Sequence, residues 1–301
     1  MGSSKRIHQM TVPQWEAAFP DDDACAAYLV AHRWPDGVTC PRCGSDKVYD
    51  LKTMKWKWEC PDCREGGAYR FSHIVGTIFE NSNKPLRVWF RVIHTMLTSK
   101  KGVSAHQIYR TMGFGSYETA LYMTHRIRAG LANEGFRKLM GIVEVDETFV
   151  GGRAKNKHWD KRDGKGGGTG SGKAIVAGAV SRKGNVVARV IANVSTHTLS
   201  QFVRETVSTE VSLLATDQYT GYRNLGREFP HASVDHSKGQ YVVGAIHTNT
   251  IEGFWSILKR SIVGVHHNVS RKYLPLYVAE RSFVYNQRNN EDIFGTAMQA
   301  F

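Results

Sequence analysis

The 301-residue sequence contains no apolar run of the roughly 20 residues that a membrane-spanning helix requires. The basic residues before Met10 are followed by no apolar stretch, which argues against a secretory signal peptide. We therefore expect a cytoplasmic protein without a membrane partner. In that reducing compartment the five cysteines favour metal ligation over disulfide bonds.

Acidic residues are scarce relative to basic ones. The chain has 27 Asp and Glu against 40 Lys and Arg, a formal net charge of +13 and a pI near 9.6. Such a surplus suits a partner made of phosphates, because each neutralised phosphate releases condensed counterions. An anionic membrane surface could attract the same charge, but we favour nucleic acid. The 41% hydrophobic content excludes wholesale disorder.

Four of the cysteines occur as two pairs with metal-ligand spacing. Cys40 and Cys43 form one C-x2-C pair, and Cys60 and Cys63 form a second after a gap of 16 residues. Two such pairs present four thiolates in a tetrahedron, the arrangement that Zn²⁺ takes in closed structural sites. The pattern predicts a zinc ribbon whose Zn²⁺ supports folding. Cys25 lies outside the pattern and is expected to be a buried helix residue.

The hydrophobic pattern predicts four segments. Residues 1–33 form an N-terminal helical segment, 34–72 the zinc ribbon and 73–140 a helical region. From residue 141 to 301, short β-branched runs alternate with helical stretches, which indicates an α/β domain with a mixed sheet. Residues 153–173 are rich in Gly and Lys and are expected to form a mobile loop.

The helical region contains a candidate helix-turn-helix. Two short helical patterns beginning at Ser104 and Ser116 flank a turn at Gly113. The second helix of such a motif enters the major groove. Its candidate DNA-contacting residues are Thr119, Tyr122, His125, Arg126 and Arg128. An ordinary helical hairpin is the alternative.

The predicted zinc ribbon also offers a candidate DNA-binding surface. Lys55 and Lys57, interleaved with Trp56 and Trp58, provide charge and stacking surface for nucleic acid. The alternative is that these lysines form a solvated face.

Three carboxylates stand where metal-dependent chemistry would place them. Asp146 lies in an apolar strand, where an uncompensated charge is costly and a metal ion is a common partner. Asp217 ends another apolar run, and Glu252 lies on a predicted helix. Each has an ordinary alternative: Glu144 or Asp146 as a salt-bridge partner, Asp217 as a turn former and Glu252 as a helix cap.

Together these carboxylates can hold two Mg²⁺ or Mn²⁺ ions about 4 Å apart, one activating the attacking group and the other stabilising the leaving oxygen. That arrangement is typical of phosphodiester cleavage and strand transfer. Lys259 and Arg260 follow Glu252 by about two helical turns, and Lys259 shares its face. His236 and His247 are candidate contacts to phosphate or to the attacking water.

Three motifs, VEVDETFVGG, LLATDQYTGY and HTNTIEGFWSILKR, resemble the acidic motifs of DDE transposases from bacterial insertion sequences. The resemblance is closest to the group with an N-terminal zinc ribbon before an RNase H-like catalytic domain. It implies a mixed five-stranded sheet, with Asp146, Asp217 and Glu252 as the metal-binding catalytic triad. It also implies that Lys259 contacts transposon-end DNA and that Asn249 is an auxiliary residue.

The resemblance implies metal-dependent cleavage at the 3′ ends of a transposon, followed by attack of the freed hydroxyl on target DNA. Two ends must meet, so we expect a homo-oligomer. The alternatives are a non-catalytic zinc-ribbon and helix-turn-helix regulator and an RNase H-like nuclease without strand transfer. Residues 167–173 fit G-x4-G-K, but Ala174 replaces the hydroxyl residue that a phosphate-binding loop requires, so no nucleotide cofactor is expected.

Overall fold

The computed structural model describes residues 10–63, 67–133, 137–152, 172–217, 219–234 and 247–301. Two compact units are present: Met1–Asn133 with Asn290–Phe301, and Glu134–Asn289. The predicted loop at 153–173 lies outside the described residues except for its last two positions. None of the described helices combines the length and the apolar character that crossing a bilayer requires.

The predicted N-terminal helix pair is present as α1 (Val12–Ala18) and α2 (Asp22–Arg33). Trp15 and Phe19 are buried, as their spacing predicts. Val12 is instead 48% exposed. It is the first residue of α1, so its side chain lies at the end of the helix.

The cysteine module contains a three-stranded antiparallel sheet, β1 (Tyr49–Asp50), β2 (Lys57–Cys60) and β3 (Tyr69–Ser72). Trp58 of β2 faces Phe71 of β3 across the pair, and their rings stack with centroids 5.9 Å apart. This stacked pair forms a small buried core together with Cys40 and Cys60. The zinc ribbon predicted for this segment is confirmed.

The helical region contains α3 (Leu86–Thr98), α4 (Ala105–Met112) and α5 (Tyr117–Gly130). The Ser104 hydroxyl caps α4 by accepting a hydrogen bond from the amide three residues on, at 3.1 Å. Gly113 ends α4 with φ of 63°, a left-handed conformation that favours glycine. Two short helices joined at Gly113 are thus present, an arrangement that a helix-turn-helix and an ordinary helical hairpin share.

The C-terminal helix α9 (Ile293–Ala300) packs in the first unit. Its Phe294 is buried, and its ring lies 5.5 Å from Phe90 of α3 and 6.2 Å from Phe19. The hydrophobic pattern predicts a single domain over residues 141–301, which includes this helix. The structure assigns residues 290–301 to the first unit, because the aromatic core there covers the apolar face of α9.

The second unit is built on a mixed five-stranded sheet. Its strands are β4 (Ile142–Val150), β5 (Ala174–Ser181), β6 (Val186–Ile191), β7 (Leu213–Asp217) and β8 (His231–Val234). The order is β6-β5-β4-β7-β8, in which β4, β5 and β6 are antiparallel neighbours and β7 and β8 run parallel to β4. This confirms the RNase H-like mixed sheet that the resemblance implies.

Helices cover both faces of this sheet. The face carrying Val143 and Val145 packs against α6 (Thr196–Thr206) and the 3₁₀ segment Thr220–Arg227. The opposite face packs against α7 (Asn249–Ser261) and α8 (Leu274–Asn286), and a π-helical turn, Ile262–His266, follows α7. Because side chains alternate along β4, Glu144 and Asp146 both lie on the α7 face.

Candidate active site

The parallel pairing of β4 and β7 brings two carboxylates side by side. Glu144 is opposite Ala215 in this register. Asp146 lies two residues beyond Glu144, and Asp217 lies two residues beyond Ala215. The two aspartates therefore occupy equivalent positions on neighbouring strands, although 71 residues of sequence separate them.

The Asp146 carboxylate is mostly buried and accepts a hydrogen bond from a tryptophan side chain. Trp255 Nε1 on α7 donates a hydrogen bond to Asp146 Oδ2 at 2.9 Å. Burial and the nearby charges of Glu147 and Asp217 raise the pKa of Asp146 to about 7. The carboxylates therefore repel one another at this position, and a bound cation would relieve that repulsion.

The approach of Trp255 depends on a glycine in the neighbouring strand. Gly178 of β5 is the residue paired with Asp146. A Cβ atom at Gly178 would lie 2.5 Å from the Trp255 ring and 3.1 Å from Ile251. The absence of a side chain at Gly178 thus lets the indole approach the sheet closely and reach Asp146.

Glu252 enters the same site from α7. The hydroxyl of Thr248, the N-cap residue of α7, donates to Glu252 Oε1 at 3.0 Å. Asp217, at the end of β7, accepts a hydrogen bond from the Tyr219 amide at 3.0 Å. A cavity of about 470 Å³ is lined by Asp146, Glu147, Thr148, Asp217, Thr248, Glu252, Trp255, Ser256 and Lys259. The three carboxylates singled out from the sequence thus share one cavity.

Glu147 is a fourth carboxylate in this cavity and is not among the residues predicted from the sequence. Tyr222, which is buried, donates from its hydroxyl to Glu147 Oε2 at 2.6 Å. Burial and the charge of Asp217 raise the pKa of Glu147. The available signal was a second acidic residue directly after Asp146 in an otherwise apolar strand.

Glu144 has the salt-bridge role that was the ordinary alternative for this strand. Its side chain is fully buried, and Arg182 Nε donates to Oε1 at 2.8 Å. His247 Nδ1 lies 3.2 Å from the same oxygen. His247, a candidate contact to phosphate or to the attacking water, therefore lies beside Glu144. The other such candidate, His236, lies outside the described residues.

The remaining candidates of this unit lie on α7. Lys259 lines the cavity and is exposed. Arg260 is exposed, and its Nε donates to the carbonyl oxygen of Ser256 at 3.1 Å. Asn249 is exposed at the first position of α7. Lys259 is thus the basic side chain of this helix that the structure brings to the carboxylates.

The four paired cysteines form a compact ligand group in the first unit. The Sγ atoms of Cys40, Cys43, Cys60 and Cys63 all lie within 4.8 Å of one another. This geometry fits one tetrahedral Zn²⁺ with four thiolate ligands. Cys25 is buried in α2, as predicted, and burial raises the pKa of its thiol to about 12.

The hairpin of the cysteine module is tied to α2 through Asp23. Lys55 Nζ lies 2.6 Å from Asp23 Oδ2, and Trp56 Nε1 donates to Oδ1 at 3.0 Å. Lys57 is exposed. Of the two lysines proposed to contact DNA, Lys55 is thus engaged in an ion pair within the protein.

The candidate DNA-contacting residues of the helix-turn-helix differ in how far they are exposed. Tyr122 is 56% exposed and accepts a hydrogen bond from Arg126 at 2.7 Å. Thr119 and His125 are half-buried. Arg128 is fully buried, so its predicted contact with DNA is corrected. It lies one position after buried Ile127, on the core side of α5.

Two family models match the chain. One match contains the five-stranded sheet, and the other contains the cysteine cluster. Residues 138–286 match the ISXO2-like transposase domain, and residues 20–66 match the transposase zinc-ribbon domain. The zinc-ribbon match begins just before α2, the helix that Asp23 ties to the hairpin. A protein described as an uncharacterized protein in transposable element ISH50, from Halobacterium salinarum, is 27% identical over 271 residues, which cover 86% of this chain and 89% of that protein.

Proposed function

We propose that this chain, which belongs to the DDE-type insertion-sequence transposases with an N-terminal zinc ribbon, cleaves DNA at its element's ends and joins the freed 3′ ends to a target. The observation that carries the proposal is the cavity in which Asp146, Asp217 and Glu252 lie with Lys259. Carboxylate oxygens are the ligands that Mg²⁺ and Mn²⁺ prefer. The raised pKa of Asp146 also supports a cation there, because like charges cause part of the shift.

Asp146, Asp217 and Glu252 would hold the divalent ions. Bound there, such ions supply activation of a water or 3′-hydroxyl and stabilisation of the leaving oxygen in an in-line displacement. The Trp255 indole orients Asp146, and the Thr248 hydroxyl orients Glu252. These hydrogen bonds hold the carboxylates in place before DNA enters, which reduces the reorganisation that cleavage requires.

Lys259 would contact the phosphate backbone beside the scissile bond. Its exposed ammonium group on the rim of the cavity can neutralise one phosphate of the entering strand. Arg260, His247 and Asn249 are further candidates on or beside the same helix. His247 contacts Glu144, so its contribution would be through the position of α7.

The first unit would recognise the element's ends. A structural Zn²⁺ on the four cysteines would hold the ribbon folded, because all four ligands are protein thiolates and no position remains for chemistry. The exposed residues Lys57 and Tyr122 and the half-buried Arg126 are the candidate DNA contacts. Because two ends must be cleaved and joined together, we propose that the active species is a homo-oligomer.

A plasmid assay tests this proposal. The full chain, loaded with zinc, is incubated with Mg²⁺ and a supercoiled plasmid carrying paired element ends, and nicked and joined products are separated on gels. We expect both products from the wild type and neither from Asp146→Asn, with binding to the ends unchanged in a gel-shift control. Binding without nicking favours a regulator, nicking without joining favours a nuclease, and cleavage by Asp146→Asn refutes the carboxylate assignment.

A further inference from the structure

Glu144 has more partners than a salt bridge requires. Arg182 Nε and the Thr250 hydroxyl donate to Oε1 at 2.8 and 2.9 Å. The Thr250 and Ile251 amides donate to Oε2 at 2.8 and 3.1 Å. The Glu144 side chain is fully buried, and burying a carboxylate is costly unless such donors satisfy it.

Two of these donors are backbone amides in the first turn of α7. The first N–H groups of a helix have no partner within the helix and are usually satisfied by the N-cap side chain. In α7 the amides of Thr250 and Ile251 are instead satisfied by Glu144, whose negative charge also suits the positive end of the helix dipole. The N-cap residue Thr248 directs its hydroxyl to Glu252.

We propose that Glu144 is a positioning residue, which clamps the first turn of α7 to β4 and thereby presents Glu252 to Asp146 and Asp217. Glu144 and Asp146 are two residues apart on the same strand face, so one strand holds both the clamp and a carboxylate of the cavity. This inference rests on the proposed function, in which Glu252 is the third carboxylate.

Arg182 completes the clamp from a second direction. It directly follows β5, and its amide donates to the carbonyl oxygen of Ile142 at 3.0 Å. Its guanidinium donates to Glu144 and, at 3.1 Å, to the carbonyl oxygen of His247, the residue before the N-cap of α7. The chain segment that enters α7 and the first turn of α7 are therefore both held to the same corner of the sheet.

The first experiment measures Mn²⁺ affinity of the zinc-loaded full chain without DNA. Glu144→Gln keeps the size of the side chain but replaces one accepting oxygen with a donor and removes the charge. We expect the dissociation constant for Mn²⁺ to rise about tenfold, the usual range for residues that orient metal ligands. Leu199→Ala is the control for general destabilisation, because Leu199 is fully buried under the opposite sheet face. An equal loss of affinity in both variants refutes the positioning role.

The second experiment asks whether Glu144 acts through Glu252. In a double-mutant cycle, Glu144→Gln is combined with Glu252→Gln, and Mn²⁺ affinity is measured for all four proteins. We expect the double variant to bind Mn²⁺ no more weakly than Glu252→Gln alone. Additive losses would mean that Glu144 acts independently of Glu252 and would overturn the inference.

Hydrogen exchange of the first turn of α7 reports on the clamp without any metal. The amides of Thr250 and Ile251 should exchange about tenfold faster or more in Glu144→Gln, because each loses a hydrogen bond to a charged acceptor. If Glu144→Gln does not fold, Thr250→Val removes one donor to Glu144, and we expect a severalfold rise in the Mn²⁺ dissociation constant. Unchanged affinity in Thr250→Val would then refute the inference.

Asp146→Asn separates failure of this inference from failure of the proposed function. Weak Mn²⁺ binding by Asp146→Asn with normal binding by Glu144→Gln overturns the positioning role and leaves the proposed function standing. Normal binding by both variants refutes the carboxylate site itself, and the role of Glu144 with it.

Discussion

The cysteine cluster and the carboxylate cavity both collect potential metal ligands, but they assemble them over very different lengths of chain. Cys40 and Cys63 span 24 residues, and their module is held by one small aromatic core. Asp146 and Glu252 are 106 residues apart and meet only because β4, β5 and α7 pack together. The first site is closed by four thiolates, whereas the second is open to a cavity of about 470 Å³.

This difference shows what each site demands of the protein. A closed thiolate site supplies folding energy, so its ligands need only local spacing. An open carboxylate site must hold like charges together before any cation arrives, so its residues need support from the surrounding fold. Trp255, Thr248 and the clamp at Glu144 provide that support here.

The largest effect is expected from removing a ligand of the cysteine cluster, whose four residues lie close together in sequence. Cys60→Ser removes one of four thiolates, and we expect loss of the bound zinc and unfolding of the ribbon, because zinc binding contributes on the order of 10 kcal/mol to such modules. Zinc content per chain measures the loss of the ion, limited proteolysis measures the unfolding of the ribbon, and a gel shift measures binding to element ends.

The same variant also tests whether the two sites are independent. We expect the Mn²⁺ affinity of Cys60→Ser to equal that of the wild type, since the carboxylates lie in the second unit. Cys25→Ser is the matched control and should keep its zinc, because Cys25 lies outside the cluster. Retention of zinc by Cys60→Ser would contradict the assignment of the four ligands.

A smaller effect is expected from disturbing the residues that hold the carboxylates of the cavity in place. Gly178→Ala places a Cβ atom 2.5 Å from the Trp255 ring, so the indole must shift away from Asp146. We expect a loss of about 1–3 kcal/mol in the free energy of unfolding, typical of overpacking. We also expect at least about a tenfold loss of cleavage, which is about 1.4 kcal/mol in the barrier.

Gly226→Ala is the matched control for this substitution. A Cβ atom at Gly226 would meet its nearest neighbour, His231, at 3.9 Å, which is ordinary contact. Chemical denaturation and the plasmid assay should find this variant close to wild type. Equal cleavage by Gly178→Ala and wild type would show that Trp255 does not orient Asp146.

The smallest effect is a gain of stability on the helix that carries Glu252. Gly253 lies within α7, and a Cβ atom there would have no neighbour within 4 Å among the described residues. Gly253→Ala should therefore raise the free energy of unfolding by about 0.5–1 kcal/mol, because glycine loses more backbone entropy in a helix. A midpoint shift in urea measures this, and a loss of stability would mean that the position is crowded.

Much of the fold was predictable where sequence signals are strong and local. The run IVEVDETFV predicts β4 with the bounds that the structure has, because its β-branched residues alternate along a buried strand. The short β8 was not predicted, since its four residues, His231–Val234, carry no extended pattern. Helix α9 was assigned to the wrong unit because an apolar face does not specify which core will cover it.

The residues of the candidate site likewise include some that the sequence identifies and others whose roles depend on the tertiary structure. The strand periodicity puts Glu144 and Asp146 on one face, and from sequence alone the two are equivalent acidic residues in an apolar strand. Arg128 similarly looks like a neighbour of Arg126 on a recognition helix. The degree of burial separates the members of each pair, because Glu144 and Arg128 are fully buried whereas Asp146 and Arg126 are only partly covered.

By itself, the sequence determined the cysteine ligands, the strand that carries Asp146 and the helix that carries Glu252, since these depend on spacing and periodicity within a few turns of chain. The tertiary structure decided which carboxylate lines the cavity and which one clamps α7. The reason is physical: the state of a buried charge depends on its partners. For Glu144 and Asp146 those partners come from β7, from α7 and from Arg182 just after β5, up to about a hundred residues away in sequence.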